Sequence, residues 1–240
     1  MRRLTRHGLL ACATLTLIAG GSACQETRPS AFPAPSPTLG AMPTLDDGRT
    51  VSLFNGTDML QWHHRDGKDC QWDVRDNHSV VVQGGDAITR ETFGDFQLHL
   101  EFFLPDMPDR EGQAKSNSGV YIHGRYEVQV LDTFGAAPFP GGCGGIYSIA
   151  PPMVNASRPA DTWQTYDIIF RAPRFDDAGN ITENPHVTVI HNGVVIHNNL
   201  ELPHCTPGGL DDTMVATGPI LLQDHGDRVQ YRNIWLRRLD

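Results

Sequence analysis

The sequence predicts an all-β domain, either a sandwich or a jelly roll, and three observations support this fold class. Residues 97–102 alternate polar and apolar side chains, the pattern of a strand with one buried face. Asn192-Gly193 lies between two runs rich in β-branched residues, 187–190 and 194–197, which is a strong signal for a hairpin. Long helical periodicity is absent from the sequence, and Gly- and Pro-rich turns separate the short strands.

Three further segments complete the predicted sheets. Residues 163–170 and 231–239 predict two strands, and the second closes the domain. The segment 116–132 begins with a polar turn and continues, as we interpret it, as one strand. One face of this strand would carry the apolar residues Val120, Ile122, Val128 and Val130. The other face would carry a row of polar residues, Tyr121, His123, Arg125, Glu127 and Gln129. This polar row is typical of a groove for a polyhydroxylated ligand, although an ordinary solvated sheet face has a similar pattern.

The N-terminus is predicted to be a signal peptide over residues 1–23. Arginines at positions 2, 3 and 6 precede a short apolar core, and small residues then lead to Cys24. These small residues resemble a bacterial lipoprotein box, which implies cleavage before Cys24 and lipidation of its thiol. A plain secretory signal cleaved nearby is the alternative. We therefore expect a lipid-anchored protein of the bacterial cell envelope, periplasmic or on the cell surface, with the lipid as its membrane contact.

Residues 24–47 are rich in Pro, Ser, Thr and Ala and predict an extended tether, and residues 48–240 predict one domain with a single core. The formal charge of the whole chain is −9, and removal of the three signal-peptide arginines makes it −12. An acidic chain without a basic cluster is a poor partner for nucleic acid or anionic lipid. Neutral carbohydrate meets no such objection.

The cysteines and acidic loops give little support for a cofactor. Cys70, Cys143 and Cys205 allow one disulfide and one free thiol in an exported domain, and the pairing stays open. Their spacing does not match a zinc site. Residues 173–186 carry carboxylates and amides that could hold a divalent cation, but a solvated turn is the preferred interpretation. No cofactor is therefore assigned, and a bound divalent cation stays open.

Ordered landmarks along the domain resemble the 3-keto-disaccharide hydrolase family, formerly a domain of unknown function, over about residues 53–239. These landmarks are LFNG at 53–56, NSGVY at 117–121, YEVQVLD at 126–132, NASRP at 155–159, WQTYD at 163–167, QDHG at 223–226 and YRNIW at 231–235. The resemblance implies a concanavalin-like jelly roll of two curved antiparallel sheets. It also implies activity on sugars that are oxidised at C3.

A C3 ketone acidifies the hydrogen on C2, so a base can remove that proton and the C1 substituent can then leave by elimination. Water addition afterwards completes a net hydrolysis. Glu127 and Glu101 are the candidate base and acid, His225 is a third titratable group, and Arg125 or a cation could hold the enolate oxygen. The candidate substrate-binding residues are Asn117, Tyr121, Gln129, Asp132 and Tyr147.

Two alternatives stay open at this stage, a non-catalytic carbohydrate-binding lipoprotein and a conventional retaining or inverting glucanase. Direct hydrolysis needs two carboxylates, and Gln129 stands where the second carboxylate of a concanavalin-like glucanase is expected. We therefore favour elimination. This interpretation requires Glu101, Arg125, Glu127 and Gln129 to lie on one concave sheet face.

Overall fold

The computed structural model describes residues 47–240, which form short antiparallel strands joined by loops. A 3-10 helix spans Gly112–Ala114. The strands are β1 (Thr50–Phe54), β2 (Trp62–His63), β3 (Asp73–Val74), β4 (Val80–Val81), β5 (Ala87–Thr89), β6 (Phe96–Phe103), β7 (Ser118–Ile122), β8 (Tyr126–Val130), β9 (Trp163–Arg171), β10 (Arg174–Phe175), β11 (Ile181–Glu183), β12 (His186–His191), β13 (Val194–Glu201), β14 (Leu221–Leu222) and β15 (Gln230–Arg238).

The strands form two main sheets and one separate hairpin. The large sheet has the order β13-β12-β9-β6-β15-β4-β3, and β1 also pairs with β15. The small sheet has the order β2-β5-β14-β7-β8, and β10 pairs with β11 alone. Eight of the twelve strand pairs join strands that are not consecutive in the chain, so most of the pairing is long-range.

The hydrophobic core lies between the two sheets. Leu98 and Leu100 of β6 are fully buried in the same cluster as Val128 and Val130 of β8. The Tyr166 hydroxyl of the large sheet donates a 2.7 Å hydrogen bond to the Gln129 carbonyl of the small sheet. Successive strand side chains point to opposite faces, so the residues between these core positions point away from the sandwich. The predicted all-β jelly-roll sandwich is confirmed.

The prediction of one continuous strand through residues 120–132 is wrong. β7 ends at Ile122, β8 begins at Tyr126, and a tight turn closed by a 2.9 Å hydrogen bond from the Arg125 amide to the Ile122 carbonyl joins them. His123 and Gly124 adopt left-handed backbone angles, with φ of +53° and +66°. A primed turn of this kind matches the twist of the flanking strands, and glycine adopts it without a steric penalty.

This turn keeps part of the predicted polar row and breaks the rest. Tyr121 pairs with Glu127 across the hairpin, and Gly119 pairs with Gln129, so these residues share one face of the small sheet. His123 is instead fully buried and lies 4.6 Å, between ring centroids, from Phe170 of the core. The polar row therefore keeps Tyr121, Glu127 and Gln129, but it does not include His123 and Arg125 at the turn.

The other predicted strands are confirmed, with ends that agree to within one residue except in β13, which extends four residues beyond the predicted end at 197. Residues 97–102 lie in β6, residues 163–170 in β9 and residues 231–239 almost entirely in β15. Asn192 and Gly193 form the turn between β12 and β13, with φ of +51° and +82°. Alternation and turn chemistry were sufficient for these elements because both are local properties.

Several expectations concern segments that the structure does not describe. The signal peptide 1–23, Cys24 and nearly all of the tether 24–47 lie outside the described residues, and the domain boundaries stay predictions. Cys70, Cys143 and Cys205 are free thiols, so no disulfide forms among them. Across residues 47–240, no helix has the length and apolar character needed to cross a bilayer.

Candidate active site

A small polar pocket of about 180 Å³ lies on the outer face of the small sheet. Most of the candidate residues meet there, namely Asn117, Tyr121, Glu127, Gln129, Tyr147 and His225. The remaining lining residues are Gln113, Pro207, Gly208 and Gln223. The pocket is smaller than the roughly 300–1,000 Å³ sites that hold drug-sized ligands, so it suits a single sugar ring.

The β7–β8 hairpin positions the carboxylate of Glu127 at this pocket. Glu127 alternates with Tyr126 and Val128, both of which face the core, so its side chain points outward. A Cβ atom on the neighbouring Gly119 would lie 2.4 Å from Glu127 Oε1. A residue with a side chain at position 119 would therefore displace the carboxylate, and glycine leaves the necessary space.

Burial makes Glu127 a base suited to neutral pH. The residue is only 3% exposed, and desolvation raises its pKa from 4.5 to about 7, although an interaction with Tyr121 lowers the pKa in part. Its backbone amide donates a 2.9 Å hydrogen bond to Thr206 Oγ1, which fixes this part of β8. A carboxyl group with this pKa is partly ionised at pH 7 and accepts protons more readily than an exposed carboxylate.

A long loop after β13 covers the phenol of Tyr121 and forms one wall of the pocket. The Tyr121 hydroxyl donates to the Pro207 carbonyl at 3.0 Å and accepts from Gln223 Nε2 at 3.2 Å. Gly208 has φ of +83°, and a Cβ atom there would lie 2.6 Å from the Tyr121 hydroxyl oxygen. Close approach of this loop therefore requires glycine at position 208. Leu210 of the same loop packs against the small apolar cluster that Tyr121 forms with Ile88 and Leu221.

Three side-chain amides, those of Gln113, Asn117 and Gln129, form another part of the pocket lining. Asn117 Nδ2 donates to the carbonyl of Gln113 at 2.8 Å and to its Oε1 at 3.1 Å. Gln129 Nε2 also donates to Gln113 Oε1, at 3.4 Å, and Gln113 Nε2 donates to the Gly141 carbonyl at 2.8 Å. Asn117 Oδ1 is buried without a hydrogen-bond partner among the described residues. This oxygen is an acceptor that a sugar hydroxyl can satisfy.

Tyr147 and His225 lie at the more open parts of the pocket. The Tyr147 amide donates to the Glu127 carbonyl at 3.1 Å, which ties the Gly-rich loop 132–149 to β8. The Tyr147 side chain is half-buried and His225 is exposed. His225 therefore places an imidazole, which can donate or accept a proton through its ring nitrogens, beside the pocket where a leaving group would depart.

Glu101 is not part of this pocket, so the expectation that it shares a face with Glu127 is wrong. Glu101 belongs to β6 of the large sheet and alternates with Leu100 and Phe102, which face the core. Since the core lies between the sheets, Glu101 and Glu127 point to opposite outer faces of the sandwich. Alternation of side chains predicted an outward carboxylate correctly, but it could not indicate which sheet the strand would join.

Glu101 instead takes part in a buried ion pair. It is fully buried, its Oε2 accepts a 2.7 Å hydrogen bond from Arg232 Nε, and its Oε1 accepts from Asn233 Nδ2 at 3.0 Å. The Arg232 guanidinium lies 3.9 Å above the centre of the Trp163 ring. A pocket of about 360 Å³ beside this network is larger than the first, but Glu101 does not line it. These contacts indicate a structural role for Glu101.

Arg125 is also outside the pocket lining. Its guanidinium makes a two-point ion pair with Asp211, with Nε–Oδ1 at 2.9 Å and Nη2–Oδ2 at 2.5 Å, and Nη1 donates to the His123 carbonyl at 2.8 Å. The expectation that Arg125 holds an enolate is therefore not supported by its position. Arg125 instead anchors the loop that carries Pro207 and Gly208, because the hairpin turn directs its side chain to that loop.

Asp132 lies just beyond the end of β8 and also points elsewhere. Its carboxylate forms a 2.9 Å ion pair with Lys115 Nζ, and it lines a different pocket together with Phe134. The proposed role of Asp132 in gripping substrate hydroxyls is therefore not supported by its position. Asp132 follows the last residue pair of the β7–β8 ladder, so strand parity no longer determines its direction.

The structure adds site residues that the sequence did not indicate. Gln113 belongs to the short 3-10 helix, Pro207 and Gly208 to the loop after β13, and Gln223 directly follows β14. Gln223 was part of a recognised landmark, so a local signal existed for it. The position of the other three depends on how loops pack against β7 and β8, for which sequence periodicity gives no signal.

No metal centre is evident in the described part of the chain. Within residues 47–240, no three His, Cys, Asp or Glu residues lie close enough to hold a metal ion. The acidic loop 173–186 contains the β10–β11 hairpin, where the Asp176 carboxylate accepts hydrogen bonds from the amides of Ala178 and Asn180 at 3.0 and 2.8 Å. These bonds are those of a turn that its own carboxylate stabilises.

The fold and the pocket together define a jelly-roll domain with a sugar-sized polar site around one buried carboxylate. The chain belongs to the family of the 3-keto-alpha-glucoside-1,2-lyase-like domain, whose model matches residues 49–237. The family resemblance found in the sequence is thereby confirmed.

Solved structures from Parabacteroides distasonis ATCC 8503 are similar to this chain. One, a candidate glycosyl hydrolase, is 38% identical, with 80% of this chain and 84% of that chain covered and a TM-score of 0.73. A second, also a candidate glycosyl hydrolase, is 20% identical with a TM-score of 0.59, covers 80% of this chain and 94% of its own, and shows the fold alone. No curated protein matches the chain. Family and relatives indicate a glycoside hydrolase-like or lyase-like enzyme.

Proposed function

We propose that this domain cleaves 3-keto-glycosides by 1,2-elimination, with Glu127 as the base that removes the C2 proton. The observation that carries the proposal is the buried Glu127 carboxyl, with its pKa raised to about 7, in a polar pocket the size of one sugar ring. A weakly acidic C–H bond requires a base that is both strong and ionised at the working pH, and this pKa meets both needs.

The reaction needs no external redox partner. Glu127 accepts the C2 proton, and the electrons of the C2–H bond form an enediolate with the C3 ketone. The C3 ketone then re-forms, and the electrons of the C2–C3 double bond shift to make a C1–C2 double bond. The C1–O bond breaks at the same time, and its electrons leave with the glycosidic oxygen. The leaving oxygen takes one proton, and addition of water to the unsaturated sugar completes a net hydrolysis.

The other lining residues supply the remaining roles. Gln129 Nε2, whose hydrogen bond to Gln113 is long at 3.4 Å, and the Tyr147 hydroxyl are donors available to the enediolate oxygen. The unsatisfied Asn117 Oδ1 accepts from a sugar hydroxyl. His225, exposed beside the pocket, delivers a proton to the leaving oxygen. Arg125 and Glu101 have no place in this scheme because their charges are already paired elsewhere.

The carboxylate count favours elimination over direct hydrolysis. Among the described residues that line the pocket, Glu127 is the one that carries a carboxylate. Ordinary glycosidases use two, about 5–5.5 Å apart in retaining enzymes and about 6.5–9.5 Å apart in inverting ones. Direct hydrolysis by a glucanase mechanism would leave one of those roles unfilled.

We further propose that the enzyme acts in the bacterial cell envelope, anchored through a lipid on Cys24. The basis is the signal-like N-terminus and the small residues before Cys24. The acidic balance of the chain suits a neutral carbohydrate ligand and disfavours nucleic acid.

Comparison of Glu127→Gln with the parent protein tests the proposed mechanism. The substitution keeps the size and hydrogen bonding of the side chain but removes the proton acceptor, so we expect kcat on a 3-keto-disaccharide to fall about 100-fold or more. The binding of that sugar, followed by calorimetry, should persist. Glu111→Gln is the matched control, because Glu111 is exposed and does not line the pocket.

Isotope exchange gives an independent measurement. In heavy water the parent enzyme should exchange deuterium into C2 of the substrate or release a 2-hydroxy-3-keto-glycal before hydration. Rapid cleavage of the unoxidised disaccharide would contradict the proposal and favour a conventional glycosidase. Binding of the sugar without turnover would indicate a non-catalytic carbohydrate-binding protein.

A further inference from the structure

The proposed pocket is too small for a whole disaccharide. Its volume of about 180 Å³ suits the 3-keto ring that is held against Glu127. The leaving group of a 3-keto-disaccharide is a second ring, which must therefore lie outside the pocket and contact its rim. The chemical nature of that rim decides which leaving groups are favoured.

An exposed aromatic ring lies next to two of the pocket residues. Gly141 lies between them: a Cβ atom placed on Gly141 would be 3.2 Å from Gln113 Nε2, 3.4 Å from Phe139 Cε2 and 3.5 Å from Tyr147 Cε2. Gln113 and Tyr147 both line the pocket, whereas the Phe139 side chain is 39% exposed. Single exposed apolar residues are common on protein surfaces, so the position of Phe139 beside the pocket is what makes it informative.

The local backbone holds the Phe139 ring in place. The Gly142 amide donates a 2.9 Å hydrogen bond to the Phe139 carbonyl, which closes a tight turn through Pro140. A Cβ atom on Gly142 would lie 2.9 Å from Phe139 Cε1, so the ring packs directly on the glycine backbone. The ring is thus fixed before any ligand arrives, which reduces the entropy that is lost on binding.

We propose that Phe139 is the platform for the leaving sugar ring and makes the enzyme selective for glycosides of a second pyranose. The carbon–hydrogen face of a pyranose is apolar and flat, and it can cover the exposed part of an aromatic ring. This proposal rests on the function proposed above, because it assigns the leaving-group subsite of the same pocket.

Phe134 provides a matched control in the same loop. Its side chain is 57% exposed, more than that of Phe139, but it lines the separate pocket that also contains Asp132 and Lys115. Loss of its ring removes an exposed phenyl group from the same loop without changing the rim beside Tyr147. Any effect of ring removal on loop folding should appear in both variants.

The test compares two substrates in the parent, Phe139→Ala and Phe134→Ala proteins. One substrate is a 3-keto-disaccharide and the other is a methyl 3-keto-glucoside, whose leaving group is too small to reach the platform. For Phe139→Ala we expect the ratio of kcat/KM values, disaccharide over methyl glycoside, to fall about 10-fold. The Phe134→Ala protein should keep the parent ratio.

Binding measurements separate failure of the subsite from failure of the proposed reaction. The 3-keto-disaccharide is titrated by calorimetry into the Glu127→Gln variant and into the double variant that also carries Phe139→Ala. We expect the double variant to bind the sugar about 10-fold more weakly. An unchanged ratio in an active Phe139→Ala enzyme overturns the platform alone. If the parent cleaves neither substrate but binding still depends on Phe139, the platform stands and the proposed reaction is wrong.

Discussion

The raised pKa of Glu127 predicts that ionisation of this residue lowers the free energy of unfolding at higher pH. Glu127→Gln should remove this pH dependence. Burial raises this pKa from 4.5 to about 7, whereas the unfolded chain retains the ordinary value. Between these two pH values the folded state binds more protons than the unfolded state. The free energy of unfolding therefore decreases as pH rises through this window, and the decrease is complete above pH 7.

The magnitude follows from the two pKa values. At about 1.36 kcal/mol for each tenfold change in the acid dissociation constant, full ionisation of Glu127 costs the folded state about 3 kcal/mol. Because Glu127 is only 3% exposed, solvent screening reduces this figure little. A glutamine at position 127 is neutral at every pH and does not carry this cost.

Urea denaturation of the parent and Glu127→Gln proteins at pH 4, 6 and 8 measures the effect. We expect similar stability at pH 4, where the carboxyl group is mostly protonated in both states, and a more stable variant at pH 8 by up to about 3 kcal/mol. Other titrating groups are common to both proteins and cancel in the difference. The exposed Glu111→Gln control should show no such trend.

Two outcomes would refute this reasoning. One is a difference between parent and variant that stays constant from pH 4 to pH 8, which would mean that Glu127 titrates alike in both states. The other is a variant that loses stability at pH 8, which would mean that the ionised carboxylate is stabilised in the fold. The activity of the parent should rise with pH through about 7 as the base ionises.

Two further predictions test the structural role of Glu101 and the expected anchor. Glu101→Gln should lower the free energy of unfolding by about 3 kcal/mol, because Arg232 loses its charged partner, and kcat of the folded protein should change less than twofold. A large loss of kcat with unchanged stability would instead indicate that Glu101 is a catalytic residue. Cys24→Ser should release folded protein from membranes into the soluble fraction, because stable attachment needs the lipid chains. If variant and parent both fractionate as soluble proteins, Cys24 is not lipidated.

The sequence alone determined the features that depend on neighbouring residues. Alternation predicted the strands at 97–102 and 163–170, and Asn192-Gly193 predicted its hairpin, because side-chain direction and turn geometry are set within a few residues. The same parity placed Glu127 and Gln129 on one face. The turn at His123 and Gly124 was missed because apolar residues continue on both sides of it.

The tertiary structure decided which of these local features meet. Glu101 and Glu127 both point outward from their strands, but the strands join different sheets, so the carboxylates lie on opposite faces. Gln113 and Gly208 reach the pocket because their loops pack against β7 and β8. The pKa of Glu127 rises only because the folded chain removes its carboxyl group from water, and desolvation depends on atoms contributed by distant segments.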